Sequence, residues 1–158
     1  MVEALLITVT IKINALGWLY MIIDEVEYSR WIKSSRGTLK SAKGDFERGE
    51  YNWVCFKAQQ AAEFSVKALL HGLGLPAYGH SISALLSKLP NKLEVEKPIQ
   101  AAKTLDKYYV PTRYPNAWAE GIPEDYYTME DASQAIKYAE EILNWVEALW
   151  RSLKKEGE

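Results

Sequence analysis

The chain has 158 residues, the length of one ordinary domain, and its formal net charge is −2. This near balance of charge excludes a strongly basic nucleic-acid-binding protein, and a hydrophobic content of 48% excludes a disordered chain. One cysteine, Cys55, excludes an internal disulfide, and two histidines supply too few ligands for a typical zinc site. We therefore expect a cytoplasmic protein without a metal ion or another cofactor.

The first twenty residues form an apolar extension that we do not expect to span a membrane, because Lys12 and Asn14 interrupt it. Residues 6–13 alternate between apolar β-branched and more polar side chains, which predicts a short β-strand. A single strand is unstable alone, so it would pair with a second copy of the chain or lie on the helices. A second interpretation is that Met21 is the natural start and that residues 1–20 extend the reading frame.

Residues 21–158 form one predicted domain, because no linker, repeat or low-complexity stretch divides them. Apolar residues recur there with the 3.6-residue period of helices, and glycine, proline and capping residues separate the periodic segments. The predicted helices cover residues 28–46, 51–72, 81–89, 98–110 and 128–153. This pattern predicts an all-α fold, an up-and-down bundle of four to five helices, with the short N-terminal β-strand in front of it.

Several reactive side chains on and after the second predicted helix have structural explanations. Cys55 falls on the apolar face of that helix, where it would fill space in the core. Glu63 and Lys67 form an i,i+4 pair that we place on the polar side of the helix. His71 lies at the helix C-terminus, where the macrodipole favours the charged imidazolium, and His80 would cap the next helix or contribute to a functional site.

The loop of residues 108–118 is the most unusual segment, because two prolines stiffen it and aromatic residues surround one arginine. Arg113, with Tyr109, Tyr114 and Asn116 close to it in the sequence, can present hydrogen-bond donors to a phosphate or a carboxylate. Aromatic platforms next to a cation also suit nucleotides and single-stranded RNA. The alternative is that Arg113 closes the loop by binding carbonyl groups or one of the acidic residues that follow it.

Other familiar kinds of site do not occur in the sequence. Neither a Walker-type phosphate loop nor an H-E-x-x-H metal motif is found, and no predicted helix carries a clustered Lys/Arg face. We therefore expect neither sequence-specific DNA binding nor membrane binding.

Five short segments occur in a characteristic order along the chain. They are GEYNW (49–53), AQQAAE (58–63), KALL (67–70), GH (79–80) and YVPTRYP (109–115). Over about residues 25–153, this combination resembles the HEPN domain family, named for higher eukaryotes and prokaryotes nucleotide binding. The resemblance implies a bundle of four or five helices that is usually a homodimer. It also implies a link to toxin–antitoxin-like systems, because many prokaryotic family members are encoded beside a small nucleotidyltransferase.

Other members of this family are metal-independent ribonucleases, which carry an arginine, four to six intervening residues and then a histidine. Counted from Arg113, the eligible positions hold Trp118, Ala119 and Glu120, and no histidine follows His80. The resemblance therefore implies the branch without nuclease activity, so we expect a binding module rather than an enzyme.

We predict that Arg113, Tyr109 and Tyr114 contact a nucleotide phosphate or a nucleotidyltransferase partner. Up-and-down threading brings the end of the fourth predicted helix near the start of the second, which makes Lys57 a second candidate phosphate contact. One alternative is a ribonuclease with a degenerate active site, in which His80 reaches Arg113 from elsewhere in the fold or across a dimer. Another alternative is a purely structural protein that dimerises and binds no nucleotide.

Overall fold

The computed structural model describes residues 6–14, 17–93 and 96–155 of the chain. Its elements, in chain order, are β1 (Leu6–Asn14), β2 (Gly17–Asp24), α1 (Glu25–Arg48), α2 (Tyr51–Gly72), α3 (Ile82–Ser87), α4 (Ile99–Asp106) and α5 (Met129–Lys155). Short 3-10 turns cover Asn91–Leu93, Pro115–Ala117 and Pro123–Asp125. The predicted helical bundle is confirmed. Among the described residues, no helix is both long enough and apolar enough to cross a bilayer.

β1 and β2 pair as an antiparallel hairpin whose register ends with Asn14 opposite Gly17. The predicted strand is present, but it pairs with β2 of the same chain rather than with a second copy, and the sequence analysis did not predict β2. Residues 17–23 are almost uniformly apolar, so they lack the alternation by which a half-buried strand is recognised. The domain boundary at residue 20 stays a prediction, and β2 continues across it to the start of α1.

Helices α1 and α2 form an antiparallel pair joined by a tight turn. Gly49 ends α1 with a φ of +76°, in the left-handed region that favours glycine, and its N–H donates to the Phe46 carbonyl. Small buried residues line the core side of α2, namely Cys55, Ala58, Ala61, Ala62, Ser65 and Ala68. Such a face lets neighbouring helices approach closely. Ser35 Oγ on α1 donates directly to the Ala61 carbonyl at 2.6 Å.

Helix α5 packs along α2 and completes the bundle. The predicted capping box at its start is confirmed, because Asp131 and Thr128 each accept a hydrogen bond from the other's backbone N–H. Near its end, the Trp150 ring stacks on the Tyr28 ring with 4.0 Å between centroids. A Cβ at Gly72 would lie 2.6 Å from the Trp150 ring, so only glycine fits at this position without movement.

The segment after α4 lies against the start of α2. Asp106, the last residue of α4, accepts hydrogen bonds from the N–H groups of Ile82 and Ser83 at 2.5 and 3.1 Å, which fixes α3 to α4. Helix α4 ends earlier than predicted, and the chain then turns so that Thr112 becomes fully buried. Asn52 Nδ2 on α2 donates to the Thr112 carbonyl at 3.1 Å. This bond anchors the loop of residues 108–118 to α2.

Candidate functional site

Arg113 lies in a cage of three aromatic rings. The central carbon of its guanidinium group is 4.2 Å from the ring centroid of Phe56, 4.8 Å from that of Tyr109 and 5.0 Å from that of Tyr114. All three distances are within the range of a cation–π contact. We call these four residues the aromatic cage. Phe56 comes from α2 and the other three come from the anchored loop, so the cage depends on the contact between these two segments.

The guanidinium group of Arg113 also closes the loop, and it does so through a neutral partner. Its Nε and Nη2 atoms donate to the Tyr109 carbonyl at 3.0 and 2.5 Å. Within the part of the chain that the structure describes, no carboxylate forms an ion pair with Arg113. The nearby acids Asp125 and Asp131 accept backbone N–H groups at turns instead. The positive charge therefore remains uncompensated beside Tyr114, which is 47% exposed.

His80 reaches the aromatic cage from the loop before α3. Its imidazole stacks on the Tyr109 ring, with centroids 4.5 Å apart and planes inclined by 13°. The cap of α3 is Ser81, whose hydroxyl accepts the Ala84 N–H, so the His80 side chain is not needed as a cap. That side chain is 56% exposed. The imidazole and the guanidinium group of Arg113 thus contact the same ring.

A buried polar cluster on α2 lies beneath His80. Glu63 is 1% exposed, and its carboxylate lies 3.2 Å from Nδ1 of His80 and 2.7 Å from Nζ of Lys67. Gln59 and Gln60 donate to the second carboxylate oxygen at 3.2 and 3.1 Å. The prediction that Glu63 and Lys67 lie on the polar side of the helix is therefore wrong. The loop that carries His80 covers this face of α2, so the ion pair is buried.

Phe56 and Glu63 are candidate site residues that were not predicted from the sequence. For Glu63 a signal was present, because Gln59, Glu63 and Lys67 recur at four-residue intervals within an otherwise apolar helix. Residues at this spacing lie on one stripe of a helix. A polar stripe inside an apolar helix is typical of a buried hydrogen-bonded network. Phe56 has no comparable signal, since an aromatic residue in a helix is usually part of the core.

Besides His80, two further predicted site residues are not part of the cage. Lys57 Nζ binds Asp45 at 2.6 Å and Ser41 Oγ at 3.0 Å, and both partners are on α1. Successive residues in a helix point about 100° apart, so a helix that directs Phe56 towards the loop directs Lys57 elsewhere. Asn116 is exposed in the 3-10 turn that follows Tyr114.

Trp118 occupies the first position at which the family's ribonuclease motif would place a histidine. Its Nε1 atom donates to the Pro111 carbonyl at 2.8 Å, and its ring stacks on Tyr126 with 4.0 Å between centroids. An indole only donates, so it cannot accept and return a proton as an imidazole does. Trp118 therefore stabilises the loop and supplies no acid–base chemistry.

Cys55 and His71 have structural roles. Burial raises the pKa of the Cys55 thiol to about 12, so this side chain is an uncharged core residue, as predicted. His71 stacks on Trp31 with 4.9 Å between ring centroids, and burial lowers its pKa below 6.5. Lost hydration outweighs the attraction of Glu27, so the pKa of His71 is lowered although the end of α2 favours the imidazolium. Among the described residues, no group of three or more His, Cys, Asp or Glu could hold a metal ion.

Comparison with known proteins identifies the family of this chain. The HEPN domain family model matches residues 28–149. Among curated proteins, the chain is 26% identical over 129 residues to "Putative toxin MJ1304" of Methanocaldococcus jannaschii, and the match covers 75% of this chain and 85% of that protein.

Solved structures give a similar result. TT1696 from Thermus thermophilus is 43% identical, with a TM-score of 0.75 and coverage of 77% of this chain and 97% of that chain. ST0689, described as an archaeal HEPN homologue, is 42% identical, with a TM-score of 0.66 and coverage of 77% and 96%. A HEPN domain protein of Thermotoga maritima is 32% identical, with a TM-score of 0.62 and coverage of 77% and 98%. The chain therefore belongs to the HEPN domain family.

Proposed function

We propose that this HEPN domain binds a phosphate of a nucleotide or an RNA strand at the aromatic cage. The observation that carries the proposal is the guanidinium group of Arg113, which contacts a neutral carbonyl and ring faces rather than a carboxylate. Arginine has more N–H donors than the Tyr109 carbonyl can use. A phosphate would accept the remaining donors in charge-assisted hydrogen bonds and would supply the compensating negative charge.

The rings around Arg113 also offer a surface for a base. Tyr114 and Trp53 are 47% and 38% exposed, and the Trp53 ring contacts Phe56 edge to face at 6.2 Å between centroids. Stacking of a base on an aromatic side chain contributes about 1–3 kcal/mol. A cation for the phosphate and exposed rings for the base together fit a nucleotide or a single-stranded RNA segment.

Binding of a short, fluorescently labelled RNA and of adenosine monophosphate tests this proposal. Arg113→Gln should weaken binding about tenfold or more, because a hydrogen bond to a charged group contributes about 1.5–3 kcal/mol. Arg30→Gln is the matched control, since Arg30 pairs with Glu27 on α1 and the substitution changes the net charge equally. Equal affinities of the wild type and both variants would contradict the proposal, as would a wild type that binds neither probe.

We further propose that the domain acts as the partner of a small nucleotidyltransferase in a toxin–antitoxin-like pair. Membership of the HEPN family and the similarity to the Methanocaldococcus jannaschii protein support this role. Purification of the tagged chain from its source cells, followed by mass spectrometry, tests it. Recovery of a nucleotidyltransferase in stoichiometric amount is the expected result, and recovery of the chain alone would contradict the role. Light scattering on the same sample tests the predicted homodimer.

A second candidate function is metal-independent ribonuclease activity, which is favoured by one observation, the contact of both His80 and Arg113 with Tyr109. His80 would accept the proton of an RNA 2′-hydroxyl as its oxygen attacks the phosphorus, and Arg113 would neutralise the phosphate. Protonated His80 would return this proton to the 5′-oxygen as the P–O5′ bond breaks, and a 2′,3′-cyclic phosphate would remain.

Incubation of RNA with the chain in the presence of a chelator tests this activity. Cleavage that is lost in both His80→Gln and Arg113→Gln supports it. Cleavage that neither substitution changes comes from a contaminating nuclease and excludes it.

A further inference from the structure

We infer that Glu63 is a positioning residue for His80, and that it determines which imidazole nitrogen faces a ligand beside Arg113. This inference deepens the proposed function and rests on it. Among the described residues, no hydrogen bond joins the buried cluster on α2 to the guanidinium group of Arg113. Glu63 would therefore act on the ligand only through His80.

The hydrogen-bond chemistry of the carboxylate determines the tautomer of the imidazole. Nδ1 of His80 lies 3.2 Å from Oε1 of Glu63. An ionised carboxylate only accepts hydrogen bonds, so Nδ1 must carry the proton that lies between them. In the neutral imidazole the other nitrogen, Nε2, then has a free electron pair. The exposed edge of His80 can thus accept a proton or a hydrogen bond from a ligand, and when protonated it can donate one.

The partners of Glu63 match the charge and the accepting oxygens of a carboxylate. Lys67 Nζ at 2.7 Å supplies the opposite charge, and Gln59 and Gln60 donate to the second oxygen. A buried charge with this many partners is satisfied, whereas a buried charge with none is costly. The cluster is therefore a rigid support on which His80 can be placed accurately.

The same cluster also holds the backbone of His80. Gln59 Nε2 donates to the His80 carbonyl at 2.9 Å as well as to Glu63. The preceding residue, Gly79, has a φ of +103°, a conformation that other residues rarely adopt, so the chain turns sharply there. His80 is thus held at its carbonyl by Gln59, at Nδ1 by Glu63 and on its ring face by Tyr109. A side chain that acts in a functional site must be held in position by its neighbours, as His80 is by these three contacts.

Nuclear magnetic resonance of the 15N-histidine-labelled chain tests the inference directly. The chain has two histidines, and a His71→Asn variant assigns the remaining signal to His80. At alkaline pH the wild type should show the Nδ1–H tautomer of His80. Glu63→Gln should shift His80 towards the Nε2–H tautomer, which can no longer accept a hydrogen bond from an RNA 2′-hydroxyl, so RNA binding should weaken by about tenfold. Glu140→Gln, at an exposed carboxylate that pairs with Lys43, should change neither.

A folding control keeps the test decisive. Glu63→Gln leaves the Lys67 ammonium buried without its partner, which can destabilise the chain. The double substitution Glu63→Gln with Lys67→Met removes both charges and should give the same change in the His80 tautomer in a chain whose helical circular dichroism is intact. An unchanged tautomer in either folded variant would overturn the inference.

The same measurements distinguish a failure of this inference from a failure of the proposed function. A His80 tautomer that shifts in the Glu63 variants, together with full RNA affinity in Arg113→Gln, would support the positioning of His80. It would overturn phosphate binding at Arg113. Loss of RNA affinity in Arg113→Gln with an unchanged tautomer in the Glu63 variants would do the reverse.

Discussion

Gly72 is the position at which the smallest substitution should have the clearest effect on stability. A methyl group at this position would lie 2.6 Å from two atoms of the Trp150 ring and 3.0 Å from Cβ of Tyr28. Neither neighbour can move easily, because the two rings stack on each other at 4.0 Å and both side chains are buried. Gly72→Ala must therefore displace Trp150, and with it part of the contact between α2 and α5.

Two opposing effects determine the magnitude. Overpacking of a filled core costs about 1–3 kcal/mol. Replacement of glycine by alanine within a helix gains about 0.5–1 kcal/mol. Steric overlap should dominate, so the free energy of unfolding should fall by about 1–2 kcal/mol. In a chain of this size, that loss corresponds to a decrease in Tm of about 2–8 °C.

Urea denaturation followed by circular dichroism measures this loss, and Gly37→Ala provides a matched control. Gly37 lies in α1, and a Cβ built on it has no neighbour within 4 Å, so the same methyl group meets only solvent. Gly37→Ala should therefore stabilise the chain by about 0.5–1 kcal/mol. The two variants should shift in opposite directions at equal protein concentration. A Gly72→Ala chain as stable as Gly37→Ala would refute the packing of Trp150 against α2.

Asp106→Ala removes the acceptor for the N–H groups of Ile82 and Ser83 and should lower the free energy of unfolding by about 1–2 kcal/mol, as loss of a helix cap does. Asp106→Asn should cost less, since its amide oxygen still accepts; equal losses in urea denaturation would contradict this account. Burial lowers the pKa of His71 in the folded chain, so protonation favours the unfolded chain. The stability associated with neutral His71 is present above pH 6.5 and is lost as the pH falls through the folded-state pKa. Below pH 6.5 the wild type should thus lose stability more steeply than His71→Gln, and parallel curves would disprove the effect. Because burial raises the pKa of Cys55 to about 12, a thiol reagent at mildly alkaline pH should label Cys55 only after unfolding, and rapid labelling of the native chain would place the thiol outside the core.

The main helices could be predicted because apolar residues recur along each of them with the helical period, although α2 is buried on most of its faces. α1, α2 and α5 show this period clearly, and Gly49 and the Thr128–Asp131 box mark two of their ends. β2 could not be recognised, since its strand identity comes from pairing with β1 and not from its own pattern. The end of α4 was misplaced for a similar reason, because burial of Thr112 requires a turn that local periodicity does not encode.

The residues of the candidate site also differ in how far they could be predicted from the sequence. Arg113, Tyr109 and Tyr114 are close in the sequence, so their common loop was recognisable from its prolines and rings alone. Phe56 and His80 come from two other segments. Only tertiary packing brings Phe56 into the cage and His80 into contact with it. Threading of an up-and-down bundle identified the turn of α2 that contacts the loop of residues 108–118. It could not determine the rotation of the helix, so it selected the neighbouring residue Lys57.

His80 brings an imidazole to the ring that Arg113 contacts, although no histidine follows Arg113 in the sequence. In the ribonuclease motif that the resemblance implies, only four to six residues separate the two groups. Here Trp118 takes the histidine's place and ties that loop through Pro111 and Tyr126. Trp118→His would restore the spacing of the motif, but it would remove the indole N–H that donates to the Pro111 carbonyl. The imidazole that contacts the cage is instead carried by the loop before α3 and supported by Glu63 on α2. The arginine loop and the imidazole are thus held by separate segments that meet at the Tyr109 ring.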